Sequence, residues 1–179
     1  MKQFVITGKV VAVHPNSISL EILSDKCLKV VNFKTEVDHD LFSDNLINTF
    51  IGLTGNIIPS NIDGTLKLEL FVTSVTLDYF VNKDVVHFNN FHFIAFTNES
   101  VVTLDNLNVV QIQSSKENSL PINFQPSVHS SLTLNDFNHP ISAIIGYIDL
   151  DHDGNICLMY EKADCAITNQ FIYNESARD

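Results

Sequence analysis

The stretch of this 179-residue chain closest to a known chemistry is Asp149-Leu150-Asp151-His152-Asp153-Gly154-Asn155-Ile156. Carboxylates at its first, third and fifth positions and a glycine at the sixth suit a twelve-residue calcium loop. Calcium takes oxygen ligands, and the sharp turn inside such a loop needs glycine. Position twelve should bring a bidentate glutamate but is Tyr160, with Glu161 one residue late. The flanks, residues 141–148 and 156–160, read as strands. The stretch is therefore expected to be the acidic tip of a β-hairpin. Asp149, Asp151 and Asp153 remain a weak calcium candidate, and no other metal and no cofactor is expected.

A second cluster is basic. Lys26-Cys27-Leu28-Lys29-Val30-Val31-Asn32-Phe33-Lys34 holds the densest run of cations in the chain. On a strand, Lys29, Val31 and Phe33 share one face, and Leu28, Val30 and Lys34 share the other. That puts the Phe33 ring beside Lys29, and a stacking ring with cations near it is what a single-stranded nucleic acid needs. Lys29, Phe33 and Lys34 are thus the nucleic-acid candidates. The competing expectation puts Phe33 in the core and the lysines in solvent. Ten basic residues stand against 21 acidic ones, for a net charge of −11. Such a field repels phosphate. The single arginine, Arg178, leaves almost none of the side chain that reads phosphates and guanines best.

The remaining reactive residues form no constellation. Of the seven histidines, only His87 and His92 are close, and a spacing of five puts them on opposite faces of a strand. His152 and Cys157 span the acidic hairpin, but two ligands do not make a site. Asp38-His39-Asp40 stands at an expected helix start, where carboxylates belong anyway. Cys27, Cys157 and Cys165 make no CxxC pair and are expected to be reduced thiols. There is no nucleophile elbow and no glycine-rich phosphate loop. No enzyme is expected, and no catalytic residue is assigned.

The elements that carry these residues are short strands. Residues 4–13, 18–22 and 27–33 follow one another across the turns His14-Pro15-Asn16-Ser17 and Ser24-Asp25-Lys26. A helix is expected from a cap at Asp40, with Leu41, Phe42, Leu46, Ile47 and Phe50 as its apolar stripe and Gly52 as its stop. Residues 51–77 then form a hairpin with its tip at 59–64, ending in Asp63-Gly64. Residues 144–167 echo it, with Gly146 answering Gly55 and Asp153-Gly154 answering Asp63-Gly64. Asp-Gly between apolar runs is a hairpin signal because glycine reaches positive φ freely.

Three strands, a helix and a closing hairpin, with Gly8 inside the first strand, resemble the oligonucleotide/oligosaccharide-binding (OB) barrel. The resemblance is one of architecture and names no single family. It implies an all-β chain of two tandem small OB-like barrels, the first with a short helix between strands 3 and 4. The expected domains are residues 1–80, residues 85–168 and a polar tail at 169–179, with the boundary at 81–84. In the second half, strands are expected at 91–96, 101–104, 107–112, 141–150 and 156–163. Residues 114–131 are expected to be irregular, and residues 132–137 a short helical turn.

The N-terminus has no cleavage signal and no apolar run nears about 18 residues, so a soluble, cytoplasmic protein without membrane contact is expected. The expected role is a structural or interaction subunit that binds protein partners or itself. Single-stranded DNA or RNA binding through the first barrel is the alternative.

Overall fold

A computed structural model describes residues 2–35, 44–76, 91–95, 100–105, 107–114, 119–128, 130 and 143–164. The first half contributes β1 (Lys2–His14), β2 (Ser17–Ser24), β3 (Cys27–Thr35), β4 (Phe50–Ile62) and β5 (Thr65–Thr76). Inward positions alternate along them: Phe4, Ile6 and Val10 on β1, Ile18, Leu20 and Ile22 on β2, Val31 and Phe33 on β3. That two-residue period lets each strand bury one face and wet the other. The rings of Phe4 and Phe33 pack at 5.8 Å between centroids and 40° between planes.

The pairing closes this half on itself. β1 runs antiparallel to β4 from Gln3↔Asn56 to Lys9↔Phe50, then to β2 from Lys9↔Glu21 to His14↔Ser17. β2 pairs with β3 and β4 with β5, both antiparallel. A short parallel contact, Lys34↔Phe71 and Thr35↔Val72, joins β3 to β5. The cyclic order β1-β2-β3-β5-β4 is that of an OB barrel. Gly8 lies where β1 passes from one partner to the other. A Cβ there would stand 2.9 Å from the Glu21 carbonyl oxygen, so only glycine lets β1 and β2 come this close. The register irregularity itself falls just beyond, between Val10 and Ala12.

The helix expected between strands 3 and 4 is not found in the described residues. A single 3₁₀ turn, Asp44–Leu46, stands there, and Phe50 belongs to β4. The apolar stripe is overruled by sheet pairing. Asn48 turns left-handed at φ 69° and donates its N–H to the Val10 carbonyl, while Val10 N–H donates to the Thr49 carbonyl. Those bonds draw the chain into β4 before a second helical turn can form. Asp40, Leu41 and Phe42 lie outside the described residues.

The second half contributes β6 (Phe91–Ala95), β7 (Ser100–Leu104), β8 (Val110–Ser114), β9 (Ile122–Pro126), β10 (Ala143–Leu150) and β11 (Ile156–Asp164). β9 corrects the irregular excursion expected over 114–131. Its alternating Ile122 and Phe124 are buried, and Pro126 ends it. β8 starts later than expected because Asp105 gathers the preceding residues into a turn, its carboxylate accepting from the N–H groups of Leu107 and Val109. The pairing order is β7-β8-β9-β11-β10-β6, with β9 parallel to β11. It repeats the first half strand for strand, except that the place of β1 is shared between β6 and β7. β1 and β6 pair antiparallel from Lys2↔Ala95 to Val5↔His92, joining everything into one eleven-stranded sheet. The boundary expected at 81–84, the turn at 132–137 and the tail lie outside the described residues.

Candidate functional site

β3 carries the three nucleic-acid candidates, and the structure commits each of them elsewhere. Its burial alternates, with Val31, Phe33 and Thr35 inward and Leu28, Val30, Asn32 and Lys34 outward. Phe33 is wholly buried against Phe4, so its ring offers no face to a base. Lys34 donates to Glu69 Oε1 of β5 at 2.5 Å. Lys29 continues the inward row at the mouth of the barrel, where its ammonium pairs with Asp149 of β10, and Ser24 Oγ donates to the same carboxylate at 3.2 Å. The Leu150 N–H adds a bond of 2.8 Å. Burial pushes the Asp149 pKa up, but the bonds from Lys29, Leu150 and Ser24 outweigh it and hold the carboxyl below its usual range.

The calcium candidates are split by the same contact. Asp149 turns to the first half, whereas Asp151 and Asp153 stay on the exposed tip with His152, whose Nε2 lies 3.2 Å from Asp153 Oδ2. Asp151 binds its own loop. Its Oδ1 accepts the N–H groups of Asp153 and Asn155 at 2.9 and 2.8 Å, and its Oδ2 accepts Asn155 Nδ2 at 2.9 Å. Those bonds hold the Asp151 carboxyl below its usual range. The tip is thus a turn held by its own carboxylate, and the strands flanking it leave no bidentate twelfth ligand.

Of the thiols, Cys27 is exposed and Cys157 half-buried, both free, while Cys165 lies outside the described residues. Burial, with Asp151 and Asp149 nearby, pushes the Cys157 thiol up and keeps it protonated. His87 and the Asp38-His39-Asp40 run also lie outside the described residues. A tie that sequence reasoning missed is the buried Tyr160, whose hydroxyl donates to the Asn108 carbonyl at 2.6 Å and anchors the turn before β8.

The outer face of β3 also presents two aliphatic side chains beside Asn32 and Lys34. Leu28 is 57% and Val30 53% exposed, side by side on the outer face. Leu23 of β2 stands opposite Leu28, and Glu21 opposite Val30. The period of two already set Leu28 and Val30 on the face away from Phe33. Weighing cations and aromatics drew attention from them.

Strand order and closure define the first half as a small OB-like barrel within an all-β chain. No protein-family profile matches the sequence, and no curated protein matches it. Among solved structures, the chain is similar to a deletion mutant of the single-stranded DNA binding protein from Thermus aquaticus. The identity is 9%, over 92% of this chain and 94% of that one, with a TM-score of 0.47. No helix among the described residues is long and apolar enough to cross a membrane.

Proposed function

We propose that this chain is a non-enzymatic interaction subunit of a protein assembly, built as two tandem OB-like barrels. One observation carries the reading: the outer face of β3 presents Leu28 and Val30, each more than half exposed, and no aromatic ring. Paired exposed aliphatics on a rigid sheet suit a protein surface, where burying them is favourable by about 25 cal/mol per Å². Single strands instead call for stacking rings and free cations. Phe33 is buried, and Lys29 and Lys34 each hold a carboxylate. The net charge of −11 works in the same direction. The second barrel rests on the repeated strand order and on the matching places of Gly55 and Gly146.

Light scattering on the eluting protein tests self-assembly, and an electrophoretic shift with labelled oligothymidylate at low and moderate salt tests the alternative. We expect association that Leu28→Asp with Val30→Asp abolishes without loss of fold, and no shift. A monomer at every concentration that retards oligothymidylate, and loses it in Lys29→Ala, would replace this reading with single-strand binding.

A further inference from the structure

We infer that Lys29, Ser24 and Asp149 form a lock that fixes the first half of the chain against the second, and that this is the use of the cation at the barrel mouth. The two halves share little backbone. Their only paired strands among the described residues are β1 and β6, through the four pairs from Lys2↔Ala95 to Val5↔His92. That pairing is four residues long, against seven between β1 and β4 and eight between β2 and β3, so it is a short seam within the sheet. Side chains supply a second point of attachment.

The Asp149 carboxylate does this. It comes from the last turn of the β10 face and reaches donors at the β2–β3 end of the first barrel, 120 and 125 residues away in sequence. Ser24 is 2% exposed, so its hydroxyl is buried at the junction and satisfied there. Lys29 and Asp149 are each about a third exposed, close enough to water to part and shielded enough to attract. β10 also packs on β2 and β11 on β5, so the lock belongs to a contact between the halves that involves more than the β1–β6 pairing. Other charged or titratable groups bear on the junction. Asp25, Asp149 and Glu161 act on Tyr147, and Asp149, Asp151 and Lys29 act on Cys157. Lys29 is the cation among them. An anion that draws Lys29 away from Asp149 would loosen the lock, so ligand binding at that mouth and separation of the halves are linked.

Charge reversal tests this on the full chain. Small-angle X-ray scattering and thermal melting would compare the wild type with Lys29→Asp, Asp149→Lys and the double reversal. Each single reversal should increase the radius of gyration or split one melting transition into two, and the double reversal should restore both. Lys34→Asp, which breaks an ion pair within the first half, should leave the radius unchanged. Single reversals with wild-type radius and melting would overturn the inference. So would a double reversal no better than the singles, or a Lys34→Asp chain that expands as they do.

Discussion

Gly55 and Gly146 stand at matching points of the two halves' strand order, and the hairpin tips beyond them do not match. Gly55 lies opposite Phe4 of β1 and Gly146 opposite Phe91 of β6. At each, the register with the following strand slips by one residue. A Cβ would stand 1.9 Å from the Phe71 carbonyl oxygen at Gly55 and 1.8 Å from that of Met159 at Gly146. The tips then diverge. Asp63-Gly64 is a two-residue turn with both φ positive, at 52° and 80°, joining the pair Ile62↔Thr65. The later tip is wider, running from Asp151 to Asn155, with the Asp151 N–H donating to the Asn155 carbonyl. The irregularity that bends a strand is repeated at the same place in the strand order of both halves, where the next strand's carbonyl leaves no room for a Cβ. A solvent-exposed tip answers to no such demand.

The comparison predicts matched losses where the halves agree. Phe33 on β3 and Phe124 on β9, which takes the place of β3 in the second half's pairing order, are buried rings at 0% and 2% exposure. Either one changed to alanine should cost about 3–5 kcal/mol, read by denaturant melts. A large loss at Phe33 alone would break the equivalence. Gly55→Ala and Gly146→Ala come next. Each forces a methyl group into a backbone carbonyl, so the cost should reach the upper end of about 1–3 kcal/mol for overpacking. Thermal melts of the two variants should fall together.

Much of this was legible in the residues. Period-two burial and turn residues located all five strands of the first half, and Asp-Gly located both tips. The helix failed because its stripe at Leu46, Ile47 and Phe50 competes with hydrogen bonds to Val10, 36 or more residues away in sequence, which local periodicity cannot register. β9 was hidden because five residues ending in Pro126 give too short a pattern to separate from the polar run around it. The site failed for a related reason. Phe33 lies in the core as the favoured expectation had it, but nothing local to Lys29 says that Asp149 will face it, so the lysines were expected in solvent. Residues whose partners lie within their own hairpin are readable, and those that tie the halves together are not.

Where the tips differ, smaller and unequal effects are expected. Gly64 and Gly154 both hold positive φ, at 80° and 78°, with nothing within 4 Å of an added Cβ. Alanine at either should cost only backbone strain, roughly 1–2 kcal/mol. At Gly64 the flanking pair Ile62↔Thr65 should fray with it, which amide exchange would detect. At Gly154 the Asp151 carboxylate should hold Asn155 in place, so exchange should rise less. Micromolar calcium should leave the melting temperature of the whole chain unchanged, because Asp151 already serves its own loop. A calcium-dependent rise would mean that the tip is a ligand site after all.

The smallest effect separates two neighbouring carboxylates, Asp149 of β10 and Asp151 of the later tip, both held below their usual range. A depressed folded pKa means that the folded state binds the proton less readily than the unfolded chain. Stability from such a group is complete above the unfolded value of about 3.9 and is lost as pH falls through the lower folded value. Between pH 6 and 8 neither carboxylate should give a slope. Below about pH 4 the two should part. Protonating Asp151 loosens only the exposed turn it holds through Asp153 and Asn155, so Asp151→Asn should leave the acid limb of the melting curve nearly as it was. Protonating Asp149 removes the negative charge that pairs with the Lys29 ammonium and so acts on the contact between halves. Asp149→Asn should therefore lower the melting temperature at pH 7 and flatten its acid limb, the variant and the wild type converging as pH falls. Melting measured from pH 2.5 to 7 in both variants decides the matter. Parallel curves for Asp149→Asn and the wild type would show that its charge does no work between the halves.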